Sequence, residues 1–348
     1  MAAITPAYGY ESYIQIAKET TYNSAAVATH KFAVYELDVT PNLATYQSRA
    51  LVGGISKPSM LQGIKTYDVR ILLGLSYDFM MRFAQAAMGV ATFGTDAAPT
   101  GGGPYTYAFK DLTTLQSYTI QAIETNRDAT GATGKCNTYT GCKLKTFKVH
   151  GEAVPDAGSV ITVELVYTAA AVSINATPTA ALVTAVDAPV YFYHATTVDD
   201  GTADAFIASG ATNIIMKSFD LTIDLNLTPR FMIGLSTQFE PARTGFASVQ
   251  FSCVKEVQTS VLFSAAVNLT SGSPKLLFDN GLATTSNRQW IFDIGTAKII
   301  SYNNPVRSSG ITEQNVTWDT LNTVGGSYDT GIIVTNISGQ ATMATAQA

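Results

Sequence analysis

The chain has 348 residues, 46% hydrophobic and only 14% charged, with 27 Gly and 12 Pro; this composition excludes a disordered or coiled-coil polypeptide and requires a buried core. Its 21 basic and 26 acidic residues leave a net charge of −5, which argues against a protein that grips nucleic-acid phosphates. Charge this sparse leaves too little polar surface for a comfortable monomer, so large protein–protein contacts are expected.

Length favours about two domains at the usual ~100–200 residues each. Met1 to Tyr10 carries neither a basic segment nor a long apolar run, so no signal peptide is predicted. Strand candidates of the first half, rich in Val, Ile, Thr, Tyr and Phe at a period of two, are Lys31–Thr40, Thr66–Leu75, Tyr105–Lys110, Gln116–Glu124, Gly141–His150 and Ser159–Tyr167. One segment breaks the pattern. Ser76 as a cap, Asp78 in the first turn, a terminal Gly89, and Phe79, Met80, Phe83 and Ala87 at helical spacing predict a short helix over Tyr77–Met88, packed on a sheet. The stretch Thr168–Val186 is interrupted by Ser173, Asn175, Thr177, Pro178 and Thr179, and is expected to be a linker, not a membrane span.

The second half repeats this order of elements. Met216–Leu225 stands for Lys31–Thr40, Thr244–Val254 for Thr66–Leu75, and the apolar segment Ser260–Asn268 stands where the helix belongs. Lys275–Asp279 and Gln289–Asp293 follow in turn. Gly141, Lys143, Leu144 and Phe147, leading to Gly158, Thr162 and Tyr167, parallel Gly295, Lys298, Ile299 and Tyr302, leading to Gly310, Thr312 and Trp318. The reading is a tandem duplication, with a first copy at 1–170, an Ala/Thr-rich linker at 171–189 and a second copy at 190–348. Extra residues in the first copy fall in loops, where added length costs little.

Motifs for chemistry are weak, and no catalytic residue, metal or cofactor is predicted. His30, His150 and His194 have no Ser, Cys or carboxylate at a spacing that names a triad. Gly131–Cys136 has the look of a phosphate loop, but Ala129 replaces its first Gly and Cys136 its Ser/Thr, so a hairpin tip is the better reading. Cys136, Cys142 and Cys253 match neither a zinc framework nor a disulfide scaffold. Trp290 and Trp318 lie in strand-like runs and read as core.

One arrangement recurs in both halves. Glu36, Asp38 and Thr40 share one strand face, as do Asp220, Thr222 and Asp224, with apolar residues on the opposite face; Glu164 adds a further acid on Ile161–Tyr167. Two explanations stand. These are solvent faces of two-layer β domains, or they line a shared channel whose negative potential lets a polyanion slide past without adhering.

Tyr10-Glu11-Ser12-Tyr13-Ile14-Gln15-Ile16-Ala17-Lys18-Glu19-Thr20-Thr21-Tyr22, followed by small residues, resembles the N-terminal signature of tail tube proteins from long-tailed bacteriophages. The order of parts after it is similar too: a first strand, the long loop Pro41–Lys65, a strand running into the helix with its terminal Ala-Met-Gly, and the strand pair Lys143–Val149 and Val160–Tyr167. The resemblance covers the first copy well and the second only through element order.

That resemblance implies a mainly β fold of two tandem tail-tube-like β-sandwich or half-barrel domains, each with a short flanking helix. It implies a structural virion protein and no enzyme, polymerised into stacked rings around a lumen lined by Glu36, Asp38, Glu164, Asp220 and Asp224. The loop after the first strand would reach an adjacent ring, with Asn42, Tyr46, Arg49, Lys57 and Lys65 as contact candidates. Implied partners are further copies of the chain, a tape-measure protein, tail terminator and tail tip proteins, and phage DNA as transiting cargo, with no membrane. The implied location is the virion tail, reached from the host cytoplasm during assembly. Family members mostly carry one tube domain in six-fold rings, so two copies per chain imply a trimeric ring with pseudo-six-fold symmetry. The alternative is a phage or bacterial β-sandwich adhesin that binds carbohydrate, for which clustered loop aromatics are lacking. A hydrolase would need a convergent His and carboxylate pocket.

Overall fold

A computed structural model describes residues 13–28, 30–47, 60–78, 80–88, 91–93, 105–109, 115–123, 136–153, 160–179, 183–184, 189–200, 216–233, 237–256, 261–282, 287–304, 312–321 and 332–338. The chain is mainly β. Its first half contributes β1 (Tyr13–Lys18), β2 (His30–Ala33), β3 (Glu36–Gln47), β4 (Met60–Gly74), helix α1 (Met81–Met88), β5 (Ala91–Phe93), β6 (Tyr105–Phe109), β7 (Tyr118–Ile123), β8 (Cys136–Glu152), β9 (Thr162–Ala169), β10 (Ala171–Ala176) and β11 (Val183–Thr184). The second half contributes β12 (Ala195–Asp200), β13 (Met216–Asp224), β14 (Leu227–Arg230), β15 (Phe239–Arg243), β16 (Ser248–Glu256), helix α2 (Val261–Asn268), β17 (Ser271–Gly272), β18 (Pro274–Asp279), β19 (Gln289–Ile294), β20 (Ala297–Asn303), β21 (Glu313–Thr320) and β22 (Ile332–Ser338).

An antiparallel run in the order β3-β4-β9-β8-β13-β16-β21-β20 crosses the whole chain. Its strands alternate as a half-buried sheet must. Val69, Ile71 and Leu73 on β4, Leu221 and Ile223 on β13, and Phe251 and Cys253 on β16 enter the core, while the residues between them face out. The two halves of this run share a detail of register. A β-bulge lies between Leu144 and Thr146 where β8 pairs with β9, and another between Ile299 and Ser301 where β20 pairs with β21.

A second layer covers the core face. The six-stranded sheet β12-β18-β19-β22-β6-β5 draws strands from both halves, because β22 inserts between β19 and β6. It packs through aromatic contacts such as Phe219 with Phe278, ring centroids 5.8 Å apart. Trp290 and Trp318 are both buried, and Trp290 donates its indole N–H to the Ser76 carbonyl at 2.8 Å.

Strand β8 passes from one environment to another along its length. Its first part pairs with β7 and β10, its middle with β9 and its end with β13. Gly141 sits at the changeover with φ +65, and a Cβ there would lie 2.9 Å from that of Ala170, so only glycine fits. Glu19, buried and part of the N-terminal signature, holds this bend: its carboxylate accepts from the backbone N–H of Gly141 and of Asn23 and from the Thr119 hydroxyl, each at 2.9 Å.

Several local expectations change. The helix starts at Met81, later than predicted, with no acidic residue in its first turn. Ser76 instead bridges Pro189, and Asp78 forms an ion pair with Arg288 at 3.2 Å; tertiary partners outcompete a local cap. Phe79 and Gly89 lie outside the described residues, as do Gly131–Lys135. The apolar segment of the second half is a helix, α2. Much of Pro41–Lys65, expected as a loop, is ladder, since β3 and β4 stay paired out to Gln47 and Met60. The segment 171–189, whose composition predicts a linker, supplies β10 to β8 and β11 to β2. The three cysteines are free and buried.

Candidate functional site

The outward face of the eight-strand run is a polar surface that the topology creates. Across it run Glu36, Asp38 and Thr40 on β3, Asp68 and Arg70 on β4, Glu164 on β9, Lys148 and His150 on β8, and Asp220, Thr222 and Asp224 on β13. Ser252 on β16 and Asn315, Thr317 and Asp319 on β21 extend it into the second half. Most lie between core-facing neighbours, as Asp38 does between Leu37 and Val39 and Thr222 between Leu221 and Ile223, so the period of two alone puts them on one side.

All five acids proposed for a channel wall therefore share this face, but they do not stand alone. Arg70 bridges two of them, with Nη1 at 2.8 Å from Glu36 Oε1 and Nε at 3.0 Å from Glu164 Oε1. A two-nitrogen grip on Glu164 is the strong form of this contact and holds the Glu164 carboxyl below its ordinary range, with the Arg70 hydrogen bond as the leading cause and burial opposing it. Asp220 Oδ1 lies 2.9 Å from Lys148 Nζ and 3.0 Å from His150 Nδ1. Asp224 Oδ1 accepts from the Asn226 backbone N–H at 2.8 Å, and Asp38 is exposed opposite Arg70. The cations Arg70 and Lys148 are the residues that sequence reading missed. Each sits at an outward position of a predicted strand, which was a usable signal, but which acid it faces depends on register.

Beyond this face each half extends a hairpin. In the second half the ladder breaks at Asn226, whose φ is +51, and resumes as the separate β14–β15 pair. Its outer turn exposes Phe231, Met232 and Ile233. The hairpin leans on the first half, where Glu240 pairs with the buried Lys143 and Thr237 bridges Lys65. Of the ring-contact candidates, Asn42 is exposed and donates from Nδ2 to Asp68 Oδ2 at 3.0 Å. Tyr46 lies in β3 opposite Leu61, and Lys65 lies in β4 opposite Leu43. Arg49 and Lys57 lie outside the described residues.

Among the described residues no group of three or more His, Cys, Asp or Glu is placed to hold a metal ion, and no helix is long and apolar enough to cross a membrane. His194 Nδ1 lies 3.0 Å from the Tyr77 hydroxyl, and burial lowers its pKa, with Asp279 opposing. Burial pushes the Cys136 thiol up and the Cys142 thiol well up, the reverse of what a nucleophile needs.

The run ends in two open edges. Among the described residues, strand β3 pairs only with β4, and β20 beyond Lys298 pairs only with β21. Unpaired edges invite another chain. A comparison with curated proteins finds no significant match. Residues 9–320 match the family model described as phage tail tube protein, and the chain belongs to that family, a structural component of the phage tail and not an enzyme family.

Proposed function

We propose that the polar face of the eight-strand run lines the lumen of a tube built from stacked rings, three chains to a ring, through which phage DNA passes into the host. The observation that carries this reading is the run itself. Among the described residues it is one antiparallel sheet with a polar face, a covered apolar face and an open edge at each end. Closing such a sheet on copies of itself removes both edges.

The two halves, 1–170 and 190–348 joined through 171–189, act as tandem copies of one tube domain. Each supplies four strands in the same order, with the bulge at the same place. Two domains per chain make three chains the counterpart of six single domains. The hairpins β3–β4 and β14–β15 extend toward neighbouring rings, through Asn42, Tyr46, Arg49, Lys57 and Lys65 in the first. Glu36, Asp38, Glu164, Asp220 and Asp224 repel the DNA backbone, tempered by Arg70 and Lys148, so the cargo meets a wall that offers it no tight site. A tape-measure protein occupies the lumen during assembly in the host cytoplasm, and tail terminator and tip proteins close the ends.

Electron microscopy of the purified protein at high concentration tests this. Hollow filaments or rings with three chains per layer are the expected result. A protein that stays monomeric even with tail-tip components present would overturn it.

A further inference from the structure

The seam between the two halves is a template for a joint that one chain cannot make with itself. There β8 lies antiparallel to β13 with Thr146 opposite Asp224, Phe147 opposite Ile223 and Lys148 opposite Thr222. Both strands have counterparts in the other half. The shared bulge equates Leu144 with Ile299, and so Thr146, Phe147 and Lys148 with Ser301, Tyr302 and Asn303. The ladders then carry the match across the sheet. Leu144 faces Tyr167, which faces Val69, which faces Val39; Ile299 faces Trp318, which faces Phe251, which faces Leu221. Val39 is therefore the counterpart of Leu221, and Thr40, Pro41 and Asn42 are those of Thr222, Ile223 and Asp224.

We propose that β20 of one chain pairs antiparallel with β3 of the next, with Ser301 opposite Asn42, Tyr302 opposite Pro41 and Asn303 opposite Thr40, repeating between chains the seam that β8 and β13 make within one. The proposal rests on the tube reading above and names its partner surface and register.

The two helices supply an independent observation. At the internal seam, α1 is enclosed: Phe83, Ala84, Ala86, Ala87 and Met88 are each no more than 1% exposed. The segment leading into it is held by the second half, through Trp290 to the Ser76 carbonyl at 2.8 Å and Asn336 Nδ2 to the Tyr77 carbonyl at 2.8 Å. Helix α2 occupies the matching place beside β20, its Phe263 ring 5.8 Å from that of Tyr302. Yet Phe263 is 55% and Val267 65% exposed, and Ile300 on the bulge is 57% exposed. An apolar helix face belongs against a neighbour. The second half holds the entry to α1, and the first half of the next chain is the body that symmetry brings onto α2.

The joint differs from its template in two respects. Pro41 withholds an N–H, so at that position the joint makes one ladder bond fewer than a residue such as Ile223 allows at the seam. At the seam the Leu225 N–H donates to the Lys145 carbonyl at 2.9 Å, so between chains the Leu43 N–H reaches the Ile300 carbonyl. The Lys148–Asp220 ion pair is replaced by Asn303 near Asp38, a neutral donor facing a carboxylate.

Disulfide trapping tests the register. T40C/N303C places two thiols on directly opposite positions, whereas D38C/S301C sets them four residues out of register, roughly 13 Å apart. The native cysteines are buried and do not interfere. Under oxidation of assembled protein, T40C/N303C should yield at least about tenfold more covalent oligomer than D38C/S301C. Tubes in which the shifted pair links preferentially, or in which neither links, overturn the register and leave the tube reading intact. Failure of the unmodified protein to form rings or tubes overturns both. If the cysteine variants do not assemble, hydrogen exchange of the unmodified protein decides: peptides spanning 37–43 and 299–304 should slow on assembly, and unchanged exchange there overturns the proposal.

Discussion

Lys148 Nζ lies 2.9 Å from Asp220 Oδ1 across the seam where β8 meets β13. It joins the two halves of the chain, yet it is not what holds them together. Both side chains are more than a third exposed, at 39% and 35%, and pairs of that kind contribute about 0–1 kcal/mol. A few residues away on the same strands, Gly151 lies opposite Phe219, and a Cβ at Gly151 would meet Phe219 Cε1 at 2.4 Å and Ile161 Cδ1 at 2.7 Å. Replacing Lys148 by Met should cost under about 1 kcal/mol in urea denaturation, while Gly151→Val should cost about 1–3 kcal/mol or more. An ion-pair variant as damaging as the glycine variant would mean that the seam is electrostatic.

Two groups give stability a stepwise dependence on pH. His194 has a folded pKa below its ordinary value, so it resists protonation in the native state. Its contribution is complete above about pH 6.5 and declines as pH falls from there through the folded value. Glu164 also has a depressed folded pKa; its contribution is complete above the ordinary carboxylate range and is lost as pH falls through the folded value. Denaturation midpoints should therefore fall in two steps on acidification. Arg70→Gln should weaken the protein at neutral pH, with the gap to the parent closing at low pH. A gap that stays constant with pH would exclude the Glu164 linkage.

The proposed channel wall is best tested at acids with which, among the described residues, no lysine or arginine forms an ion pair. Asp38→Lys combined with Asp224→Lys reverses charge at two positions of the polar face without breaking the Arg70 or Lys148 pairs. Virions carrying both substitutions should assemble tails of normal length and release DNA more slowly, because a polyanion gains attractive sites along its path. Release rates indistinguishable from the parent would remove these side chains from the lumen.

The cysteines should be chemically silent in the native protein. Cys142 is fully buried, Cys136 and Cys253 nearly so, and burial raises the Cys136 and Cys142 thiols, so little thiolate exists at neutral pH. Titration with an aromatic disulfide reagent should detect no thiol in native protein and all three in denaturant. Rapid native reaction of any one would contradict the packing at β7, β8 or β16.

Local pattern decided much of this molecule. The alternation of Glu36, Asp38 and Thr40 with Leu37 and Val39 is a property of five consecutive residues, and any strand that buries the apolar set must turn the acids outward. The burial of Trp290 and Trp318 is legible for the same reason, since it depends on residue type and neighbours along the chain. What only the tertiary structure decided depends on which strand lies beside which. The partners of Glu36, Glu164 and Asp220 are set by register across β3, β4, β9, β8 and β13. The insertion of β22 beside β6, and the recruitment of 171–176 to β8, are choices among strands of similar character. Ser76 is a sound helix cap by its local sequence, but Trp290, more than two hundred residues away, claims its carbonyl. Spacing along one strand determines a face, whereas pairing between strands is settled by the burial and hydrogen bonding of the whole sheet.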